Sequence, residues 1–126
     1  VPETFKIASA KTKAYRDGLW AEHAAAFFLR LKGYRILARR YKTPVGEIDL
    51  IARKKNVIAM VEVKERQSVD AALFSLTRRM RQRIERAAMY YMASATTPTC
   101  DIRFDLIAVA LPFSIRHLDN AWRPGA

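Results

Sequence analysis

The sequence predicts a mixed α/β (α+β) domain, a central mixed β-sheet flanked by helices. Two segments carry apolar residues at helical spacing, and five others read as short strands. Their order is helix, three strands, helix, two strands, which points to one sheet and one core. A length of 126 residues with 51% hydrophobic residues suits a globular chain of that size.

Residues 1–13 read as a polar, basic arm, and residues 14–126 as a single domain. From Tyr15 to Lys32 the chain is rich in Ala, Leu and Phe. Leu19, Trp20, Ala24, Phe27, Phe28 and Leu31 recur at helical spacing, with Gly33 as the C-cap. Tyr34 to Tyr41 reads as a strand with basic ends, and Thr43-Pro44-Val45-Gly46 supplies a turn. Glu47 to Arg53 and Val57 to Arg66 follow as strands, joined by Lys54-Lys55-Asn56, short enough for a hairpin. Ser68 to Thr96 is mostly helix with a break near Ser75 to Thr77, and Leu76, Met80, Ile84, Ala87, Ala88 and Tyr91 form its apolar stripe. Asp101 to Ala110 is an apolar strand, and Ser114 to Trp122 an edge strand.

A formal charge of +11, from 23 Lys and Arg against 12 Asp and Glu, favours a polyanionic partner, most commonly nucleic acid. The single cysteine, Cys100, excludes an internal disulfide and a multi-cysteine zinc site, and fits a cytoplasmic location. The longest apolar run, Leu106 to Phe113, is too short to span a bilayer, and the first residues lack a signal-peptide core, so no membrane partner is expected.

Against this basic background stands GEIDLIARKKNVIAMVEVKER, residues 46–66. Residues two apart on a strand share a face, so Glu62 and Lys64 point with Ile58, Met60 and Arg66, away from Val57, Ala59, Val61 and Val63. By the same rule Glu47 and Asp49 share a face opposite Ile48 and Leu50. Pairing of the two strands brings Asp49 toward Glu62 and Lys64. Two close carboxylates repel and invite a hard divalent cation such as Mg²⁺ or Mn²⁺, which can activate water. An adjacent lysine can position that water or stabilise charge in the transition state. These are the parts needed to hydrolyse a phosphodiester. The competing reading is an ionic cluster on a solvated sheet face.

Asp49 followed at thirteen residues by Glu62-Val63-Lys64 resembles the PD-(D/E)xK nuclease signature, with Glu47-Ile48 where that signature has a proline. More narrowly, the chain resembles the YraN-like uncharacterised family, which is similar to archaeal Holliday-junction resolvases. The resemblance is carried by Gly18 with Ala21-Glu22, Gly33-Tyr34, Gly46 to Ala52, Val61 to Lys64 with Arg66, Arg103-Phe104-Asp105, and His117 to Ala121. It implies a restriction-endonuclease-like, or tRNA-endonuclease-like, fold. It also implies roles: Asp49 and Glu62 ligate the metal with the Val63 carbonyl, Lys64 serves the water or transition state, and Glu22 completes the site. Similar resolvases are dimers, so a homodimer is expected by analogy. Arg40 stands where an asparagine is usual, Met60 where a phenylalanine is usual, and Met80 where the helix commonly carries a lysine. Arg79 and Arg81 are expected to substitute electrostatically for that lysine.

Arg66, Arg78, Arg79, Arg81 and Arg83 are the candidate nucleic-acid contacts, and Arg86 shares their helix; a solvated helix face is the alternative for the helical ones. Tyr41, Trp20 and Trp122 read as packing residues, His23 and His117 as structural, and Lys54 and Lys55 as an ordinary turn. Asp105 reads either as a support for the site or as a buried partner of an arginine. The expected function is a metal-dependent endonuclease acting on structured or branched DNA rather than RNA. The alternatives are a non-catalytic nucleic-acid-binding module and a basic adaptor for an acidic protein.

Overall fold

The computed structural model describes residues 18–95, 99–110 and 114–125. The expected N-terminal arm, Thr96 and the end of the 106–113 apolar run lie outside them. A helix over residues 18–31 (α1) is followed by β1 (Arg35–Thr43), β2 (Gly46–Lys54) and β3 (Val57–Glu65). Then come α2 (Val69–Ser75), α3 (Arg78–Ser94), β4 (Asp101–Ala110) and β5 (Ser114–Trp122). The sheet order is β1-β2-β3-β4-β5; β3 and β4 pair in parallel and all other neighbours are antiparallel. The parallel step falls where α2 and α3 cross over, as a parallel connection requires. This α+β architecture agrees with a nuclease-like α/β fold.

Local chemistry sets the element ends. Gly33 adopts φ 92, and the Gly33 and Tyr34 amides donate to the carbonyls of Arg30 and Leu29 at 3.0 and 2.9 Å. That pattern is a Schellman stop, for which the left-handed region favours glycine. The Ser68 and Thr77 hydroxyls cap α2 and α3, accepting from the amides of Ala71 and Met80. Thr43 closes the β1–β2 turn: its hydroxyl accepts from the Gly46 amide at 3.0 Å and donates to the Gly46 carbonyl at 2.7 Å.

The sheet separates two cores. On one face α1 packs Ala21, Ala25, Ala26 and Leu29 against Leu50, Ala52, Ala59, Val61, Ile107 and Val109. On the other, α3 packs Ile84, Ala87 and Ala88 against Ile48, Ile51, Ile58, Met60, Phe104 and Trp122. Close to that second face, α2 covers Leu106 and Ala108 with Ala72. Trp122 stacks on Phe104 with ring centroids 5.2 Å apart, and Tyr41 meets Tyr91 edge-on.

Two expectations are corrected here. The large apolar residues of α1 do not form its buried stripe: Trp20, Phe27 and Leu31 are exposed, and the alanines carry the face. Small side chains let the helix lie close to the sheet, so the periodicity of bulky residues marked the wrong side. The second correction concerns β2, where Ile48 and Leu50 belong to opposite cores rather than one face. Strand alternation breaks at Asp49, the residue between them, because pairing with β3 runs only from Lys54↔Val57 to Leu50↔Val61.

Candidate metal centre and its surroundings

Beyond Leu50↔Val61, β2 and β3 separate into a fork while β3 continues to pair with β4 as far as Glu65↔Val109. Asp49 sits in the fork. One of its carboxylate oxygens accepts the Val63 amide at 2.8 Å, replacing the ladder bond that the departing strand no longer supplies. Glu62 lies across from it, close enough for the charge of Asp49 to perturb its carboxyl. The Lys64 ammonium stands 3.7 Å from Glu62 Oε1, with both side chains mostly buried. The structure therefore brings together Asp49, Glu62 and Lys64, as the shared strand face of the last two had indicated.

Burial raises both carboxyls. Asp49 is lifted chiefly by desolvation, which the Val63 amide only partly opposes. Glu62 is pushed up to about 9 by desolvation, then by the charge and hydrogen bond of Asp49, with Lys64 acting in the opposite direction. Glu62, raised to about 9, therefore keeps its proton at neutral pH, as one of two desolvated carboxyls sharing a site should.

The fork opens into a cavity of about 430 Å³ lined by Gly18, Ala21, Glu22, Arg40, Lys42, Glu47, Ile48, Asp49, Glu62, Val63 and Glu65. Glu22, named by resemblance alone, comes from α1 into this cavity and is buried. It is held by Arg40 Nε at 3.1 Å and by Arg39 at 3.7 Å. Among the described residues no three His, Cys, Asp or Glu side chains stand close enough together to hold a metal ion. Asp49 and Glu62 are two hard oxygen donors, and Glu22 is a third on the wall, turned to its arginines. That donor set fits a small divalent cation such as Mg²⁺ or Mn²⁺, and offers nothing to a soft metal.

A second, smaller cavity of about 110 Å³ lies on the α3 side, lined by Glu47, Asp49, Glu62, Met80, Arg83 and Ile84. Of the five candidate nucleic-acid contacts, Arg83 alone lines either cavity containing Asp49 and Glu62. Its position follows from Gly46: a Cβ there would meet the Arg83 carbonyl oxygen at 2.0 Å, so glycine lets α3 touch β2. Arg78 and Arg79 are exposed away from the fork, and Arg81 is half-buried with its Nε lacking a hydrogen-bond partner. Arg66 lines a neighbouring cavity that shares Glu65 with the fork. Sequence reasoning missed Lys42 and gave Arg40 no place in the site. The signal was available, since β1 pairs antiparallel with β2 and sets Lys42 opposite Glu47.

The other buried acid is a separate construction. Asp105 is fully buried on the α1 side of the sheet; Arg103 donates to both its oxygens at 2.8 Å, the Asn120 amide donates at 3.0 Å, and His117 Nε2 lies at 2.8 Å. Arg103 also reaches the Tyr34 hydroxyl at 2.5 Å. Of its two sequence readings, this geometry is the buried arginine partner. No helix among the described residues is long and apolar enough to cross a membrane.

Residues 21–109 match the model of Uncharacterised protein family UPF0102. A UPF0102 protein of Bradyrhizobium sp. (strain ORS 278) is 50% identical, over 96% of this chain and 87% of that one. Those of Parvibaculum lavamentivorans and Nitrobacter winogradskyi are 48% and 46% identical, over 88% and 89% of this chain and 84% and 96% of theirs. The fork, with its GEIDLIA and VEVK strands, falls wholly within the matched residues, and the chain belongs to the UPF0102 (YraN) family.

Proposed function

We propose that this protein is a metal-dependent endonuclease that hydrolyses phosphodiester bonds in nucleic acid, with structured or branched DNA as the preferred substrate. The observation that carries this reading is the half-buried Asp49–Glu62 pair at the fork, both carboxyls raised by desolvation, with the Lys64 ammonium 3.7 Å from Glu62. Buried carboxyls raised in this way are costly to the fold and concentrate at functional sites. A chain of charge +11 attracts a polyanion to the cavity above them.

In this mechanism Asp49 and Glu62, with the Val63 carbonyl as a further ligand, would hold Mg²⁺ or Mn²⁺, while Glu22 stays on the cavity wall, engaged by Arg39 and Arg40. A cation held by these residues would supply a water of lowered pKa and would neutralise charge on the phosphoryl oxygens. The Val63 amide fixes the Asp49 carboxylate, so one of its oxygens is aimed before substrate arrives. Lys64, at the edge of the pair, orients the attacking water or stabilises the charge building on phosphorus. Lys42, in the larger cavity, and Arg83, in the smaller one, bind phosphates flanking the scissile bond, and Arg66 lies in the neighbouring cavity. Hydrolysis adds the water oxygen to phosphorus and returns a proton to the departing sugar oxygen.

The test is cleavage of duplex, flap, four-way-junction and RNA substrates with Mg²⁺ or Mn²⁺. Wild type is expected to cut a branched DNA, and Lys64→Ala to lower the rate about 10²–10³-fold, the range for loss of one transition-state donor. Equal cleavage by both proteins, or no cleavage of any substrate, contradicts the proposal.

A further inference from the structure

Arg39 and Arg40 are consecutive residues of one strand, and both reach the same carboxylate. Side chains of a regular strand alternate, so neighbours should point to opposite faces. Arg40 escapes the rule because its backbone is left-handed, with φ 50. It lies across from Asp49, between the flanking pairs Arg39↔Leu50 and Tyr41↔Ile48. The break in alternation on β2 therefore faces an irregular residue on β1. The result is a part-buried hydrogen bond from Arg40 Nε to Glu22 Oε2 at 3.1 Å, with Arg39 3.7 Å from the other oxygen. Glu22 is only 6% exposed, and Arg40, Glu22, Asp49 and Glu62 all line one cavity.

We infer that Arg40 is a latch on the third carboxylate of the site. By holding Glu22, it keeps the centre at two carboxylates and sets a weak affinity for divalent cations. The inference rests on the proposed use of Asp49 and Glu62 as metal ligands. Affinity for hard cations rises with the number of charged oxygen ligands. Glu22 is near enough to raise Asp49 through its charge, so releasing it adds a third negative oxygen donor to the same space. Arg40 acts through Glu22 and is a positioning residue. Its backbone conformation is one that asparagine tolerates better than arginine, so Arg40→Asn removes the cation without opposing the local fold.

The experiment is Mn²⁺ binding to the full chain by calorimetry and by loss of the free-Mn²⁺ electron-spin signal. Arg40→Asn is expected to tighten Mn²⁺ binding about ten-fold, in line with one added charged ligand. Adding Glu22→Gln to Arg40→Asn is expected to remove that gain, and Arg40→Lys to remain within about two-fold of wild type because the cation is retained. A wild type that binds Mn²⁺ with an unchanged Arg40→Asn variant overturns the latch alone. So does a gain that survives Glu22→Gln, which would make Arg40 a diffuse charge rather than a latch. Absence of Mn²⁺ binding by every variant and by wild type overturns the metal centre, and the latch with it.

Discussion

Two acidic clusters, one fully buried at Asp105 and one half-buried at Asp49 and Glu62, lie on neighbouring strands of this sheet, and they are opposites. Burial pushes Asp105 up, yet His117, the Arg103 fork and the Asn120 amide outweigh it and hold its carboxyl below the usual range. Burial pushes Asp49 and Glu62 up as well, and there the Val63 amide and Lys64 do not outweigh it. Arg103 is itself raised, first by its bonds to Asp105. The lesson is that burial of an acid does not distinguish structure from chemistry. The partners do: a saturated carboxylate ties β4 to β5, while the less satisfied pair at the fork is the proposed cation site.

The sharpest way to break this contrast is to remove each acid. Asp105→Ala leaves Arg103 and His117 facing an empty site, and should cost about 3–5 kcal/mol in urea unfolding. Asp49→Asn should stay within about 1 kcal/mol of wild type at neutral pH, since it removes a group that burial already disfavours. Equal losses would erase the distinction. Next in size is Gly46→Ala, which forces β2 and α3 apart against the Arg83 carbonyl; about 3 kcal/mol and a displaced Arg83 are expected. A variant with wild-type stability would mean that α3 does not depend on that contact.

The smallest effect separates the clusters by pH. Asp105 has a lowered folded pKa, so its contribution is present above its unfolded value of 3.8 and is lost as pH falls through the folded value. Glu62 has a raised one, so its contribution is full below 4.5 and is lost as pH rises toward about 9. Wild type should therefore lose stability from both ends. Glu62→Gln should flatten the fall between roughly pH 5 and 8 by about 2 kcal/mol, leaving acid unfolding unchanged. An identical alkaline slope in both proteins would show that Glu62 is ionised in the fold.

Much of this was legible in the sequence because local rules govern it. Strands β4 and β5, the α2–α3 break and the β2–β3 hairpin follow from periodicity and turn residues. The closeness of Glu62 and Lys64 follows from a period of two. What was hidden depends on departures from period. Strict alternation gave Ile48 and Leu50 one face, whereas the fork at Asp49 separates them. The positive φ of Arg40 gave no composition signal, and with it the engagement of Glu22 by two consecutive arginines stayed out of view. Bulky residues on α1 misled because a helix can bury alanines and expose Phe27 and Leu31. Glu47, which had no role, proves to line both cavities and to raise Glu62 through its charge.

The central claim is that the pair at the fork is a cation site, and Mn²⁺ titration at pH 7 in buffers of differing ionisation enthalpy tests it most directly. The Glu62 proton must leave when a cation binds. Wild type should bind Mn²⁺ with release of about one proton, Glu62→Gln should release none, and Asp49→Asn should lose binding. Absence of binding to wild type, or undiminished binding to Asp49→Asn, would contradict the account.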